Sequence, residues 1–140
     1  MTSFKENTAL GLLILRLALG VIMIMHGWQK LTVWGLEGTT MSFAEMGIPL
    51  AGLVAPAVTF LELVGGLLII LGLATRLLAL ANAISMIGAI FTVHLGSFYA
   101  SEGGYEFVLM LAAASLTLVL TGAGAISLDR VLTQNLAQKK

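Results

Sequence analysis

The chain has 140 residues, of which 59% are hydrophobic and 10% charged, and its mean hydropathy is +1.02. Soluble domains carry roughly a quarter charged residues, so a soluble fold is excluded, and the balanced formal charge gives no basis for nucleic-acid binding. The absence of cysteine excludes an electron relay through thiols of the chain itself.

Four apolar segments follow one another, each about long enough to cross a bilayer. The first, 9–25, is interrupted only by Arg16, and the second, 50–74, only by Glu62. The third, 77–95, carries Asn82 and His94, and the fourth, 107–124, has no charge. The first segment has a weakly basic start, a mid-segment arginine and no clear small-x-small cleavage site, so it reads as a retained helix rather than a signal peptide. These segments predict an all-α, up-down four-helix membrane bundle in one domain over 1–140, with spans at about 9–31, 50–74, 77–96 and 105–124. Ionisable groups in hydrocarbon are costly, which makes each of them a functional suspect.

The connections differ in length. Residues 73–76 form a tight turn, whereas 32–49 and 97–104 are longer. In the first long connection, Ser42 with Glu45 reads as a capping box, and Gly47 followed by Pro49 as a helix stop and a new start. A short helix lying over the bundle is expected there. Beyond Gly122 and Gly124, Leu128, Val131, Leu132 and Leu136 fall on one helical stripe beside basic residues, as in a helix lying at the membrane interface.

Orientation follows from the basic residues. Lys5, Arg76, Arg130, Lys139 and Lys140 lie on the side of both termini, against Lys30 alone on the other. The positive-inside rule then places the chain in the cytoplasmic (inner) membrane with both termini cytoplasmic. Trp28, Trp34, Tyr99 and Tyr105 gather at the outer interface, where an aromatic belt is expected.

At 1.5 Å per residue, with inner ends set near Ala9, Arg76 and Ala125, the residues His26, His94 and Glu106 all fall roughly 25–28 Å from the inner surface. Lys30 lies one turn beyond His26. Arg16 falls at roughly 10 Å and Glu62 at roughly 16 Å, so these two are expected to form a buried ion pair. Arg16, Gly20, Met23, His26, Gly27 and Lys30 share an arc of roughly 120° on the first helix. Thr59, Glu62, Gly65 and Gly66 cluster in the same way on the second. His94 lies about 120° from Asn82 if the third helix stays regular. The methionines Met23, Met25, Met86 and Met110 read as packing residues rather than copper ligands.

An ordered series of motifs runs along the chain: Arg16 with Gly20, HGWQK at 26–30, MSFAEMGIP at 41–49, ELVGG at 62–66 and LGLATR at 71–76. TVHLG at 92–96, EGGYEF at 102–107 and TGAGAISLD at 121–129 complete it. The series resembles the DoxX family of small four-helix membrane proteins over nearly the whole length. That resemblance implies an integral membrane protein associated with redox metabolism, of which some relatives resemble membrane subunits of quinone-linked oxidoreductases.

The leading expectation is a redox-associated subunit that binds a quinone or similar small organic molecule in an outer-leaflet polar pocket, alongside membrane lipid and a redox partner protein. His26, His94 and Glu106 would hydrogen-bond ring oxygens and exchange protons, since imidazole titrates near neutrality, and Lys30 would stabilise a developing oxyanion. No flavin, haem or iron–sulfur motif is present, so catalysis by this chain alone is left open. Two other readings stand beside it. One is a metal site built from His26, His94 and Glu106, a two-histidine, one-carboxylate set. The other is a non-enzymatic transporter or membrane assembly scaffold. Each residue also has a purely structural role open to it: register for Arg16–Glu62, snorkelling for Lys30, a carbonyl partner for His26 and a helix cap for Glu106.

Overall fold

The computed structural model describes residues 2–137, and their side chains from Glu6 to Leu136. Lys139, Lys140 and the Lys5 side chain, used above for orientation, lie outside that description. Helix α1 spans Thr2–Trp28, α2 Gly35–Glu45, α3 Ala51–Phe60, α4 Gly66–Leu71, α5 Thr75–Ala89, α6 Glu106–Thr121 and α7 Leu128–Ala137. A π turn at Gln29–Val33 extends α1, another at Leu61–Gly65 joins α3 to α4, and a third at Ile90–His94 extends α5. Three continuous apolar helical stretches therefore cover Glu6–Val33, Ala51–Leu71 and Thr75–His94, and α6 is a shorter apolar helix. The described residues contain no strand.

The spans associate as two pairs. In the first, glycines on α1 bring the backbone of the second span close: a Cβ on Gly20 would lie 2.6 Å from the carbonyl oxygen of Gly66, and one on Gly27 would lie 2.8 Å from the amide nitrogen of Leu63. Lipid tails are as apolar as leucine, so close backbone packing rather than water exclusion drives such contacts. The second pair, α5 with α6, is lined by Ala79, Ala83 and Ala112 and pinned by Asn82 Nδ2 donating to Ser115 Oγ at 2.9 Å. Between the pairs, Leu19, Met23, Ile69, Ala79 and Leu118 form the apolar centre. Most other large aliphatic side chains face outward, as a bilayer demands.

The end of the bundle with the short turn is tied together by polar groups. Gly72 takes φ 71° and Ala74 the less usual φ 51°. The amides of Ala74 and Thr75 donate to the two carboxylate oxygens of Asp129 at 2.8 and 3.1 Å, and the Asp129 amide donates to Gly72 O at 2.8 Å. The expected tail helix is thus α7, and its first turn caps α5. The stripe Leu128, Val131, Leu132 and Leu136 is exposed along it.

At the opposite end the expected overlying helix is α2. Its start differs from the reading above: it begins at Gly35, so Ser42 is interior and forms no capping box with Glu45. Its end follows expectation, with Gly47 at φ 76° and the amides of Gly47 and Ile48 closing onto Ala44 O and Phe43 O.

Candidate functional site

Lys30 and Glu62 are the charged pair at the centre of the long-loop end. Lys30 Nζ lies 2.7 Å from Glu62 Oε2, with side-chain exposures of 11% and 7%. Both residues sit in π turns, Lys30 at the end of the first span and Glu62 in the middle of the second. A π turn inserts a residue into the helical ladder and occurs frequently at functional sites. Helix α2 covers the pair: the buried Thr39 donates from Oγ1 to Lys30 O at 3.0 Å. Thr59, fully buried one turn before Glu62, donates to Ala55 O.

This overturns the expected Arg16–Glu62 pair. Arg16 instead donates from Nη1 to Ala123 O at 2.5 Å and from Nη2 to Ile70 O at 3.2 Å, and so joins the first span to the second and to the start of the tail. The physical reason is the relative depth of two helices. The estimate set Ala9 level with the end of the second span, but Gly20 packs on Gly66 and Arg16 on Ile70. Glu62 is therefore eight residues, or roughly 12 Å, further along its helix than Arg16 reaches. The same offset brings Lys30, expected to line an open pocket, back onto Glu62. Helical side chains lean toward their own N-terminus, which favours this reach.

His94 and Glu106 have partners within the connection between α5 and α6. His94 Nδ1 bonds Gly103 O at 2.7 Å, Glu106 Oε1 accepts from the Ala100 amide at 2.8 Å, and Ser97 Oγ donates to Glu102 at 2.6 Å. These bonds shape the 95–105 connection. Gly104 is required there, since a Cβ would lie 2.5 Å from Ser97 O. His94 lies in a π turn, so its facing departs from regular helical spacing. Among the described residues no three His, Cys, Asp or Glu side chains are grouped to hold a metal ion, so the expected metal set is not assembled.

His26 packs beside the residue that follows Glu106. Its ring is exposed, lies 6.4 Å from the Phe107 ring with the planes tilted 39°, and borders an open groove of about 410 Å³ lined by Met25, His26, Trp28, Gln29 and Val33. That groove adjoins the π turn carrying Lys30. A second, wholly apolar groove of about 170 Å³ runs between α1 and α6, bordered by Leu15, Ala18, Ile22, Phe107, Met110 and Ala114.

The model of the DoxX family matches residues 11–95, which hold Arg16, His26, Lys30 and Glu62. The chain belongs to the DoxX family. Relatives agree over most of their length. A Bacillus subtilis protein named "Putative oxidoreductase CatD" is 37% identical over 125 residues, which is 89% of each chain. The Escherichia coli inner membrane protein YqjF is 35% identical over 93% of this chain and 98% of its own, and the inner membrane protein YphA of the same organism is 34% identical over 85% and 88%. No solved structure matches the chain. Apolar spans and inner membrane relatives together mark this DoxX protein as a polytopic membrane protein of the inner-membrane type.

Within the matched region, the sequence reading grouped Thr59 with Glu62 but missed Thr39 and Gln29 as parts of the site. Gln29 shares HGWQK with His26 and Lys30, and this was the one signal available for it. Thr39 had no signal, because only the docking of α2 brings it to Lys30.

Proposed function

We propose that this DoxX protein is a redox-associated membrane subunit that takes the ring of a quinone-like small organic molecule at His26. The observation that carries the reading is the groove beside the first π turn. It is an open depression of about 410 Å³ along one face of the first span and its π turn. Apolar walls from Met25, Trp28 and Val33 suit a flat ring, and His26 and Gln29 supply the few polar groups that orient one. The name of the Bacillus subtilis relative favours a redox role in general.

In this reading His26 hydrogen-bonds a ring oxygen and exchanges its proton as the ring changes oxidation state. Gln29 supplies a second hydrogen bond. The Lys30–Glu62 pair lies behind the groove, neutralised, and holds the end of the first span in register with the second. His94 and Glu106 serve the neighbouring connection rather than the ligand. Electrons come from a redox partner protein, since the chain has no thiol of its own to carry them. Both termini lie in the cytoplasm and the His26 groove opens in the outer leaflet, on the charge asymmetry of the connections.

The test is equilibrium binding of a short-chain benzoquinone to the full chain in lipid nanodiscs. His26→Ala and Gln29→Ala are expected to weaken binding about tenfold each, the loss of roughly one neutral hydrogen bond, with melting unchanged. Equal binding by the wild type and a folded double variant overturns the proposal.

A further inference from the structure

At the end of the bundle opposite His26, positive charge is left over that the fold does not use. Among the described side chains, the long-loop end carries Glu37, Glu45, Glu62, Glu102 and Glu106 against Lys30 alone, whereas the short-turn end carries Arg16, Arg76 and Arg130 against Glu6 and Asp129. Arg16 is taken up by the carbonyls of Ala123 and Ile70, and both carboxylate oxygens of Asp129 accept backbone amides. Arg76 and Arg130 are exposed, and neither side chain has a hydrogen bond or ion pair among the described residues. The two are brought together by the tail. Each follows in sequence one partner of a single hydrogen bond, Thr75 N to Asp129 Oδ2 at 3.1 Å, so the docking of α7 carries Arg130 to the start of α5, where Arg76 lies.

A lone interfacial arginine ordinarily snorkels away from the protein. Arg76 instead folds back over the end of α6: a Cβ on Gly122 would lie 3.1 Å from its Nε and 3.6 Å from its Nη2. Gly122, at φ 74°, leaves that seat open. The guanidinium therefore lies across the seam of α5 and α6. Leu77, the next residue on α5, and Leu120, two residues before Gly122 on α6, are both exposed apolar side chains.

We infer that this seat holds the phosphate of an anionic phospholipid such as phosphatidylglycerol, with its acyl chains running along Leu77 and Leu120 and Arg130 of α7 as the second cation. A guanidinium offers its donors in a rigid fork that matches phosphate oxygens, and here no protein group occupies it. A zwitterionic headgroup brings its own ammonium, which the second arginine repels, so charge selects the anionic lipid. The exposed stripe Leu128, Val131, Leu132 and Leu136 on α7 and the apolar spans beside the seat set it at the level where a headgroup meets its chains. Free phosphate would draw nothing from those apolar side chains. The inference does not rest on the ligand at His26, which belongs to the other end of the bundle.

The test is native mass spectrometry of the full chain in mild detergent with equimolar phosphatidylglycerol and phosphatidylcholine, reading the lipid in the first adduct. The wild type is expected to favour phosphatidylglycerol about fivefold, the order expected for one basic group near an anionic headgroup. Arg76→Gln is expected to bring the ratio to about one, with melting unchanged, and Arg130→Gln to lower it by only about half, as a neighbouring rather than a seating charge. In vesicles of the two lipids, phosphatidylglycerol carrying a diazirine on its headgroup is expected to label 73–78 and 120–130 of the unaltered chain, a measurement that stands should Arg76→Gln fail to fold. Equal retention of both lipids by the wild type overturns the inference, and so does headgroup labelling spread evenly over both ends of the bundle. Equal losses from Arg76→Gln and Arg130→Gln replace the seat by a diffuse field and overturn it too. Displacement of the lipid by inorganic phosphate beyond that by chloride at the same ionic strength makes the occupant free phosphate and overturns the lipid.

Discussion

Lys30 and Glu62 form a buried ion pair at 2.7 Å, thirty-two residues apart in sequence and each within a π turn of a different span. The pair is fixed by two glycine crossings below it and covered by α2 above, so it reports on the correct assembly of three elements at once.

Breaking the pair from one side strands a charge. Glu62→Ala or Lys30→Met alone should destabilise the chain by several kcal/mol, about 3–5, whereas Lys30→Met with Glu62→Leu should recover most of the loss. Thermal melts in detergent complete the cycle. Additive losses in the double variant would show that the two side chains are not coupled. Arg16→Met combined with Glu62→Leu should recover nothing, because Arg16 bonds the carbonyls of Ala123 and Ile70 instead.

The glycine crossings differ sharply from the glycines that face outward. A Cβ at Gly27 meets Leu63 N at 2.8 Å and Thr59 O at 2.9 Å, which are backbone atoms that cannot step aside, while at Gly11 and Gly88 it meets nothing within 4 Å. Gly27→Ala should therefore cost about 1–3 kcal/mol by overpacking, and Gly11→Ala should be neutral or stabilise by about 0.5–1 kcal/mol as a helix-interior replacement. Melting temperatures of the two variants in the same detergent decide it, and a tolerated Gly27→Ala would contradict the close crossing.

Asp129 holds the tail to the short turn through the Ala74 and Thr75 amides. Asp129→Ala should remove about 0.5–2 kcal/mol, the usual worth of a side-chain cap at a helix start, and should free the exposed Arg130 for cleavage by trypsin. Asp129→Asn, which retains an acceptor oxygen, should lose less. Unchanged proteolysis of Asp129→Ala would show that α7 is held by its apolar stripe alone.

Topology follows from charge. A single cysteine at Thr133 should be shielded from a membrane-impermeant reagent in intact cells, and one at Gly38 should react. Labelling at 133 and protection at 38 would invert the chain and put the His26 groove in the cytoplasmic leaflet.

The sequence by itself determined the all-helical membrane class and the places where each apolar segment carries something other than hydrocarbon. Length and polarity suffice for that, because a bilayer requires each crossing to satisfy its own backbone hydrogen bonds. It also marked Gly47 as a helix stop and a helix after Ser127, both of which depend on neighbouring residues only. Pairing between spans was different. Helical wheels placed Arg16, Lys30 and Glu62 on inward faces correctly, yet the partner of Glu62 was decided by how far one helix slides along another. A slide of about 6 Å, roughly one turn, leaves Arg16 short of Glu62 and brings Lys30 within reach, and nothing within either segment records that slide. Gly20 and Gly27 set it by touching Gly66 and Leu63, a contact between residues about forty positions apart. His94 and Glu106 likewise gained their partners from the folded connection between α5 and α6, where Gly103 and the Ala100 amide come within hydrogen-bond reach. The π turns compound the effect, since each shifts the facing of every later residue by an amount that regular spacing cannot supply.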